Sequence, residues 1–298
     1  MDHTNKKTAV AIGKFDGLHR GHQALLSVLK GVADKNGLET VVFSFSPPPA
    51  AYFSGAAVKS IYTAREKREI LDGLGIETYV EYPFGELADI NARSFIEDII
   101  YKRFKCRALA AGESFRFGKD RAGNLPLLKH ICAELDIQFL ETPLLLIGGN
   151  AASSSSVVNY LNNGGVEDAN ALLGRPFSIS GMVDIGRRVG RTLGFPTVNI
   201  SIPAEKYAPK DGVYAAAAEI DGDAFPGVAN VGVSPTFKLN GEKKCETHLI
   251  NFDKDVYGKT IKIKFYKFIR DEITFASADR LKEQITEDVL AAKKFFGI

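Results

Sequence analysis

The sequence predicts two folds in tandem: an α/β unit built on a doubly wound parallel sheet, then a small antiparallel β-barrel with a terminal helix. Three observations carry this. In the first half, short apolar runs alternate with stretches whose apolar residues recur at helical spacing, the pattern of repeated βα units. From Phe177 onward the chain changes to short strand-like runs broken by Gly and Pro, with no long helix among them. The final segment returns to a helical period. A chain of 298 residues with 45% hydrophobic content can fill a core in each of two domains, and the change of pattern divides it into 1–172 and 173–298.

Taken in order, 8–13 is a strand-like run, and 21–35 carries Leu25, Leu26, Leu29 and Val32 on one helical face. Residues 39–45 are β-branched and aromatic, a second strand. Thr63 precedes a helix with Glu66 three residues on, a capping box, and Ile70, Leu71 and Leu74 form its apolar stripe. Residues 78–82 return to strand, Asn91 caps a helix bearing Phe95, Ile99, Ile100 and Phe104, and 108–111 is a buried strand. A helix over 125–135 leads to a strand at 137–141. The tract Gly148 to Ser156 is low in complexity, yet helical pieces at 157–161 and 166–173 follow it, so it is not read as a linker. Strands at 213–220, 227–233, 246–252 and 260–269 supply the barrel. Ser277 caps a last helix whose Leu281, Ile285, Val289, Ala292 and Phe296 share one face, a lid on that barrel.

Composition narrows the function classes. A net charge of +2 with both signs mixed throughout gives no strongly basic footprint, so no nucleic-acid partner is expected. No apolar run is long enough to span a bilayer, and the polar start MDHTNKKTAV leads directly into a strand, so neither membrane segment nor signal peptide is expected, and a cytoplasmic location is. Cys106, Cys132 and Cys245 are widely spaced with no CxxC pair, which predicts buried, reduced thiols rather than disulfides or a zinc site. Phosphate affinity must then be local, and self-association is left open.

Two stretches concentrate that local chemistry. In 181–200, GMVDIGRRVGRTLGFPTVNI, Gly181, Gly186, Gly190 and Gly194 alternate with Arg187, Arg188 and Arg191, which reads as a cationic loop running into a strand from Phe195. Period two puts Thr197 and Asn199 on one face and Val198 and Ile200 on the other. Hard oxygen ligands beside mobile cations suit a magnesium-bound nucleotide phosphate, although on composition alone the stretch is equally a Gly/Arg surface turn. In 13–22, GKFDGLHRGH, His19 and His22 sit where the first helix presents free N–H groups and its positive dipole end, a place that attracts phosphate. No further metal ligands are evident nearby, which disfavours zinc. Glu246 and His248 share a strand face, and a carboxylate near a substrate hydroxyl can act as general base.

The order GRRVGRTLGFPTVNI resembles the signature GRxxGRxLGFPTxNI of riboflavin kinases, and GKFDGLHRGH resembles the nucleotidyltransferase signature GxFDGxHxGH. AGESFRFG at 111–118, GVANVGVSPTF at 227–237, 252–258 and FIRDE at 268–272 are similar to further segments of the same family. The chain thus resembles, along essentially its whole length, the bifunctional riboflavin kinase and FAD synthetase family. The resemblance implies a Rossmann-like nucleotidyltransferase domain that makes FAD from FMN and ATP, and a barrel that phosphorylates riboflavin to FMN with ATP and Mg²⁺. It further implies that Gly13, Phe15, Asp16, Gly17, Gly186, Arg191, Thr197 and Asn199 bind ATP, with Thr197 and Asn199 also at the metal. Glu246, His19 and His22 would be catalytic, and Arg270 and Glu272 would border the flavin. Departures lie in the first domain: Pro48 where the family has histidine in a PHP turn, Ser114 where it has an acid or Asn, and Ser156 and Val158 where SSTRIR has its two arginines. A riboflavin kinase with an impaired first domain, and a flavin-binding sensor without turnover, are the alternatives.

Overall fold

The computed structural model describes residues 6–142, 145–184, 194–233 and 243–298. Contacts divide the chain into two compact units, Met1–Ser153 and Ser154–Ile298. The first holds β1 (Thr8–Ile12), α1 (Arg20–Asn36), β2 (Glu39–Ser46), α2 (Pro49–Ser54), α3 (Ala64–Gly73) and β3 (Thr78–Pro83). Then come α4 (Ala92–Ser94), running on as π-helical Phe95–Arg103, β4 (Cys106–Ala111), α5 (Leu125–Glu134), β5 (Gln138–Leu140), β6 (Leu146–Ile147) and β7 (Asn150–Ala151).

The sheet order is β3-β2-β1-β4-β5, every pairing parallel. Alternation along buried strands explains its two covered faces. Val10, Ile12, Val41, Phe43 and Leu109 pack against Phe95, Ile96 and Ile100 of the π-helical stretch and Leu128 and Ile131 of α5. Their neighbours Ala9, Ala11, Val42, Ala108 and Ala110 pack against Leu25, Leu26 and Leu29 of α1 and Leu71 of α3. The capping box forms as read, Thr63 accepting from the Glu66 N–H while the Glu66 carboxylate accepts from that of Thr63. The helix α2 was not anticipated; Pro48 and Pro49 open it, Pro49 at its first turn where no N–H is missed.

The second unit comprises α6 (Ser154–Asn162), α7 (Val166–Leu173), β8 (Phe177–Asp184), β9 (Thr197–Ser201), β10 (Gly212–Ile220), β11 (Asp223–Val233), β12 (Lys243–Leu249), β13 (Thr260–Arg270) and α8 (Ala278–Phe296). The strands close into an antiparallel barrel in the order β10-β11-β12-β9-β8-β13. Residues 154–172 lie in the unit of the barrel, where Asn170 of α7 donates to the Phe265 carbonyl at 2.8 Å and accepts the Phe177 N–H at 2.6 Å. The helix α8 packs Val289, Ala292 and Phe296 on Val213, Ala215 and Val228.

One expectation is corrected. Residues 181–184, read as the start of a Gly/Arg loop, complete β8. A Cβ on Gly181 would stand 3.2 Å from Ile200 Cβ, so the glycine permits close approach of β8 and β9 and is not there for looseness. The rest of that loop, including Gly186 and Arg191, lies outside the described residues, as does 234–242. All three cysteines are buried and unbridged, and burial pushes the Cys132 and Cys245 thiols up to about 12, which keeps them protonated. Among the described residues no helix is long and apolar enough to cross a membrane.

Candidate active sites

The segment 13–19 leaves the carboxyl end of β1 and enters α1, the position at which doubly wound sheets receive ligands. Its backbone is unusual: Phe15 and Leu18 take left-handed conformations at φ 44° and 45°, which non-glycine residues rarely hold unless their surroundings enforce it. Those surroundings are dense, with Phe15, Asp16 and Leu18 all buried. Asp16 Oδ1 accepts the buried Ile61 N–H at 2.8 Å and its Oδ2 lies 3.4 Å from Lys14 Nζ, so this carboxylate ties the loop to the chain before α3. Gln23 Nε2 donates to the Leu18 carbonyl at 2.8 Å, closing the turn from the helix side. The rings of His19 and His22 stack at 3.7 Å between centroids, His19 at the N-cap of α1 and His22 one turn on, with Phe15 5.0 Å from His22.

Thus the structure brings Gly13, Phe15, Asp16, Gly17, His19 and His22 into one segment, but with different means of reaching a ligand. The buried side chains of Phe15 and Asp16 serve the loop, and Gly13 donates its N–H to the Phe43 carbonyl at 3.1 Å. The stacked imidazoles of His19 and His22 and the amino end of α1 are the features of this segment whose chemistry suits a phosphate. Lys14 and Asp16 of the same segment, with Ser44, Pro48, Ser60 and Lys67, line a small pocket.

The second site is assembled by strand register. Antiparallel pairing sets Asn199 opposite Glu246 and Thr197 opposite His248, so all four side chains leave one face of the β9–β12 pair. Asn199 Nδ2 stands 3.3 Å from Thr197 Oγ1, the i, i+2 neighbours that period two requires. Val198 and Ile200 are buried on the opposite side, with Cys245 and Thr247 beside them. Glu246 is exposed, whereas His248 is engaged, its Nδ1 2.9 Å from the Pro196 carbonyl and its ring edge-on to Phe195.

The row extends further than the sequence indicated. Asp184 of β8 pairs with Asn199, and Asn230 of β11 pairs with Glu246, giving Asp184, Asn199, Glu246 and Asn230 on four neighbouring strands. Asn230 Nδ2 donates to Glu272 Oε1 at 3.0 Å, which draws that predicted flavin residue to the same face. Arg270 makes a bidentate pair with Asp288 of α8. An asparagine amid the apolar alternation of 227–233, and an aspartate inside the apolar stripe of the last helix, were the available signals for Asn230 and Asp288. Among the described residues no three His, Cys, Asp or Glu gather as a metal site. A cation on this face would rest on hydroxyl and amide oxygens and on its substrate's phosphates, a donor set that fits Mg²⁺.

Comparison with known proteins agrees with both halves. The riboflavin kinase family model matches residues 173–296 and the FAD synthetase model residues 1–156. The bifunctional riboflavin kinase/FMN adenylyltransferase of Escherichia coli K12 is 38% identical over 97% of this chain and 93% of its own length. That of Buchnera aphidicola from Schizaphis graminum is 36% identical over 99% and 96%. A solved structure from Streptococcus pneumoniae, described as a macrolide-efflux protein, superposes with a TM-score of 0.84 at 30% identity, covering 96% of this chain and 93% of that one. Matched by both models in tandem and by such relatives along nearly its full length, the chain belongs to the bifunctional riboflavin kinase/FMN adenylyltransferase family.

Proposed function

We propose that the barrel face phosphorylates the 5′-hydroxyl of riboflavin from ATP, and that the 13–22 segment serves the transfer of AMP from ATP to FMN. The observation that carries the first half is the register placing Thr197 and Asn199 beside Glu246. Glu246 would accept the hydroxyl proton as the oxygen attacks the γ-phosphorus and ADP departs. Thr197 Oγ1 and the Asn199 amide oxygen would hold Mg²⁺, which supplies charge neutralisation at the β- and γ-phosphates. Gly186 and Arg191 would bind the triphosphate, and 270–272 would border the flavin. In the first unit, His19, His22 and the amino end of α1 would hold the phosphates of ATP while FMN attacks the α-phosphorus and pyrophosphate leaves. A cytoplasmic enzyme supplied with ATP completes this reading.

The test is incubation with riboflavin, ATP and Mg²⁺, following FMN and FAD separately, and then with FMN in place of riboflavin. We expect FMN from the first incubation and FAD with pyrophosphate from the second. Riboflavin binding without any FMN would return the chain to a non-catalytic flavin sensor. FMN without FAD would leave a riboflavin kinase alone.

A further inference from the structure

The apolar face of α8 contains one residue that packing does not explain. Asp288 lies three positions after Ile285 and four before Ala292, on the side that meets the barrel, and is only 3% exposed. Arg270 Nε donates to its Oδ1 at 2.8 Å and Arg270 Nη2 to its Oδ2 at 2.6 Å. Gln284 Nε2 adds a bond to Oδ1 at 3.3 Å. Such a fork fixes both the position and the plane of the guanidinium, which a single-point ion pair does not. The remaining Nη1 of Arg270 donates to the Asp271 carbonyl at 2.9 Å and so clamps the backbone just past β13.

One residue further, the segment is seated a second time. Glu272 Oε1 accepts from Asn230 Nδ2 at 3.0 Å, and a Cβ on Gly232 would lie 2.2 Å from that same oxygen, so only glycine leaves the carboxylate its seat. Asn230 is the cross-strand partner of Glu246. The 270–272 segment is therefore fixed to the terminal helix at one end and to the face of the proposed base at the other.

We propose that Asp288 is a positioning residue for the kinase site: acting through Arg270, it sets where Glu272 stands beside Glu246 and thereby the affinity for riboflavin. It touches no substrate and moves no proton. The inference rests on the reading that 270–272 borders the flavin. It also changes the meaning of Arg270, whose guanidinium faces Asp288 as a strut rather than as a direct flavin ligand.

The test uses the full chain and riboflavin itself, with binding read from quenching of riboflavin fluorescence and turnover from FMN formation. Asp288→Asn, which keeps shape but loses charge and one acceptor, should raise both the Kd and the KM for riboflavin about tenfold, leaving kcat and the KM for ATP within about twofold. Gly232→Ala disturbs the other end of the segment and should weaken riboflavin binding in the same way. Because both act through one segment, the double variant should lose less than the product of the single effects. Asp288→Glu should recover part of the loss. A lowered melting temperature in Asp288→Asn with wild-type riboflavin affinity would show a merely structural pair and overturn the proposal. Unchanged affinity in Gly232→Ala, or fully multiplicative effects, would do so as well. A wild type that binds riboflavin without making FMN would sink the kinase reading alone, whereas weaker binding in Asp288→Asn would still uphold the positioning role. A wild type that binds no riboflavin would overturn both.

Discussion

The segment 13–22 and the barrel face bearing Glu246 place polar groups by different means. In the first, ten consecutive residues do the work: a buried carboxylate, two left-handed backbone positions and a stacked histidine pair hold one loop in one shape. In the second, the residues come from β8, β9, β11 and β12 and meet only because the strands pair in one register. A local site of the first kind shares its residues with the core, so most changes there act on fold and chemistry together. A register-built site draws its functional side chains from strands whose pairing depends on other residues, so an exposed group such as Glu246 can be removed without loss of the frame.

The sharpest way to test that contrast is Glu246→Gln. The change removes proton acceptance from an exposed side chain at nearly constant volume, so FMN formation should fall by about two orders of magnitude or more. Thermal stability and FAD formation from supplied FMN should stay near wild type. Near wild-type FMN turnover would take Glu246 out of the mechanism. A parallel collapse of stability would show that the barrel face is no more separable from its frame than the loop.

The next effect concerns adenylyl transfer to FMN. The family resemblance puts arginines where Ser156 and Val158 stand on α6, and a hydrogen bond to a charged group contributes about 1.5–3 kcal/mol, a factor of roughly ten to a hundred. We expect FAD synthesis from FMN to be weak in the wild type and to rise by about that factor in the double replacement Ser156→Arg, Val158→Arg, read as pyrophosphate release. Val157 between them is fully buried and anchors the helix, so the exchange leaves its packing alone. Robust wild-type FAD synthesis that the replacement does not increase would show that other cations have taken over.

How much of this was legible in the sequence follows the same contrast. The loop was readable residue by residue, because GKFDGLHRGH is contiguous and sits at a strand-to-helix junction marked by periodicity alone. The inward and outward alternation of Thr197, Val198, Asn199 and Ile200 was readable too, since period two is a property of one strand. That Asn199 faces Glu246, and Asn230 faces it from the other side, was not, because pairing partners depend on barrel closure. Gly181 misled for a related reason: glycine marks loops and close strand contacts alike, and only the position of Ile200 decides. Asp288 was hidden because its partner Arg270 is 18 positions away.

A smaller effect probes the oxygen pair itself. Thr197→Val keeps the side-chain shape and deletes the hydroxyl that stands 3.3 Å from Asn199 Nδ2. The Mg²⁺ concentration for half-maximal FMN formation should rise about tenfold, the equivalent of ~1.4 kcal/mol. The protein should remain folded, because Thr197 opens β9 and its backbone pairing with His248 is untouched. Unchanged Mg²⁺ dependence would mean that the shared face does not hold the cation.

The smallest expected change discriminates most finely within the loop, and it concerns Asp16. If its carboxylate binds ATP or a bound cation directly, charge is what matters, and Asp16→Asn should be nearly as damaging to FAD synthesis as Asp16→Ala. The observed geometry argues otherwise: Asp16 is 2% exposed, and its Oδ1 accepts the Ile61 N–H, a bond an asparagine carbonyl can also accept. Asp16→Asn should therefore keep FAD synthesis within about threefold of wild type, losing only the solvent-screened Lys14 contact. Asp16→Ala leaves the Ile61 N–H buried without that partner and should cost about 1–3 kcal/mol of stability in the first unit, with FAD synthesis falling as the left-handed turn at Phe15 relaxes. Urea unfolding monitored alongside FAD formation separates the two. Equal catalytic losses in both variants at wild-type stability would move Asp16 from the scaffold of the loop to its ligand-binding surface.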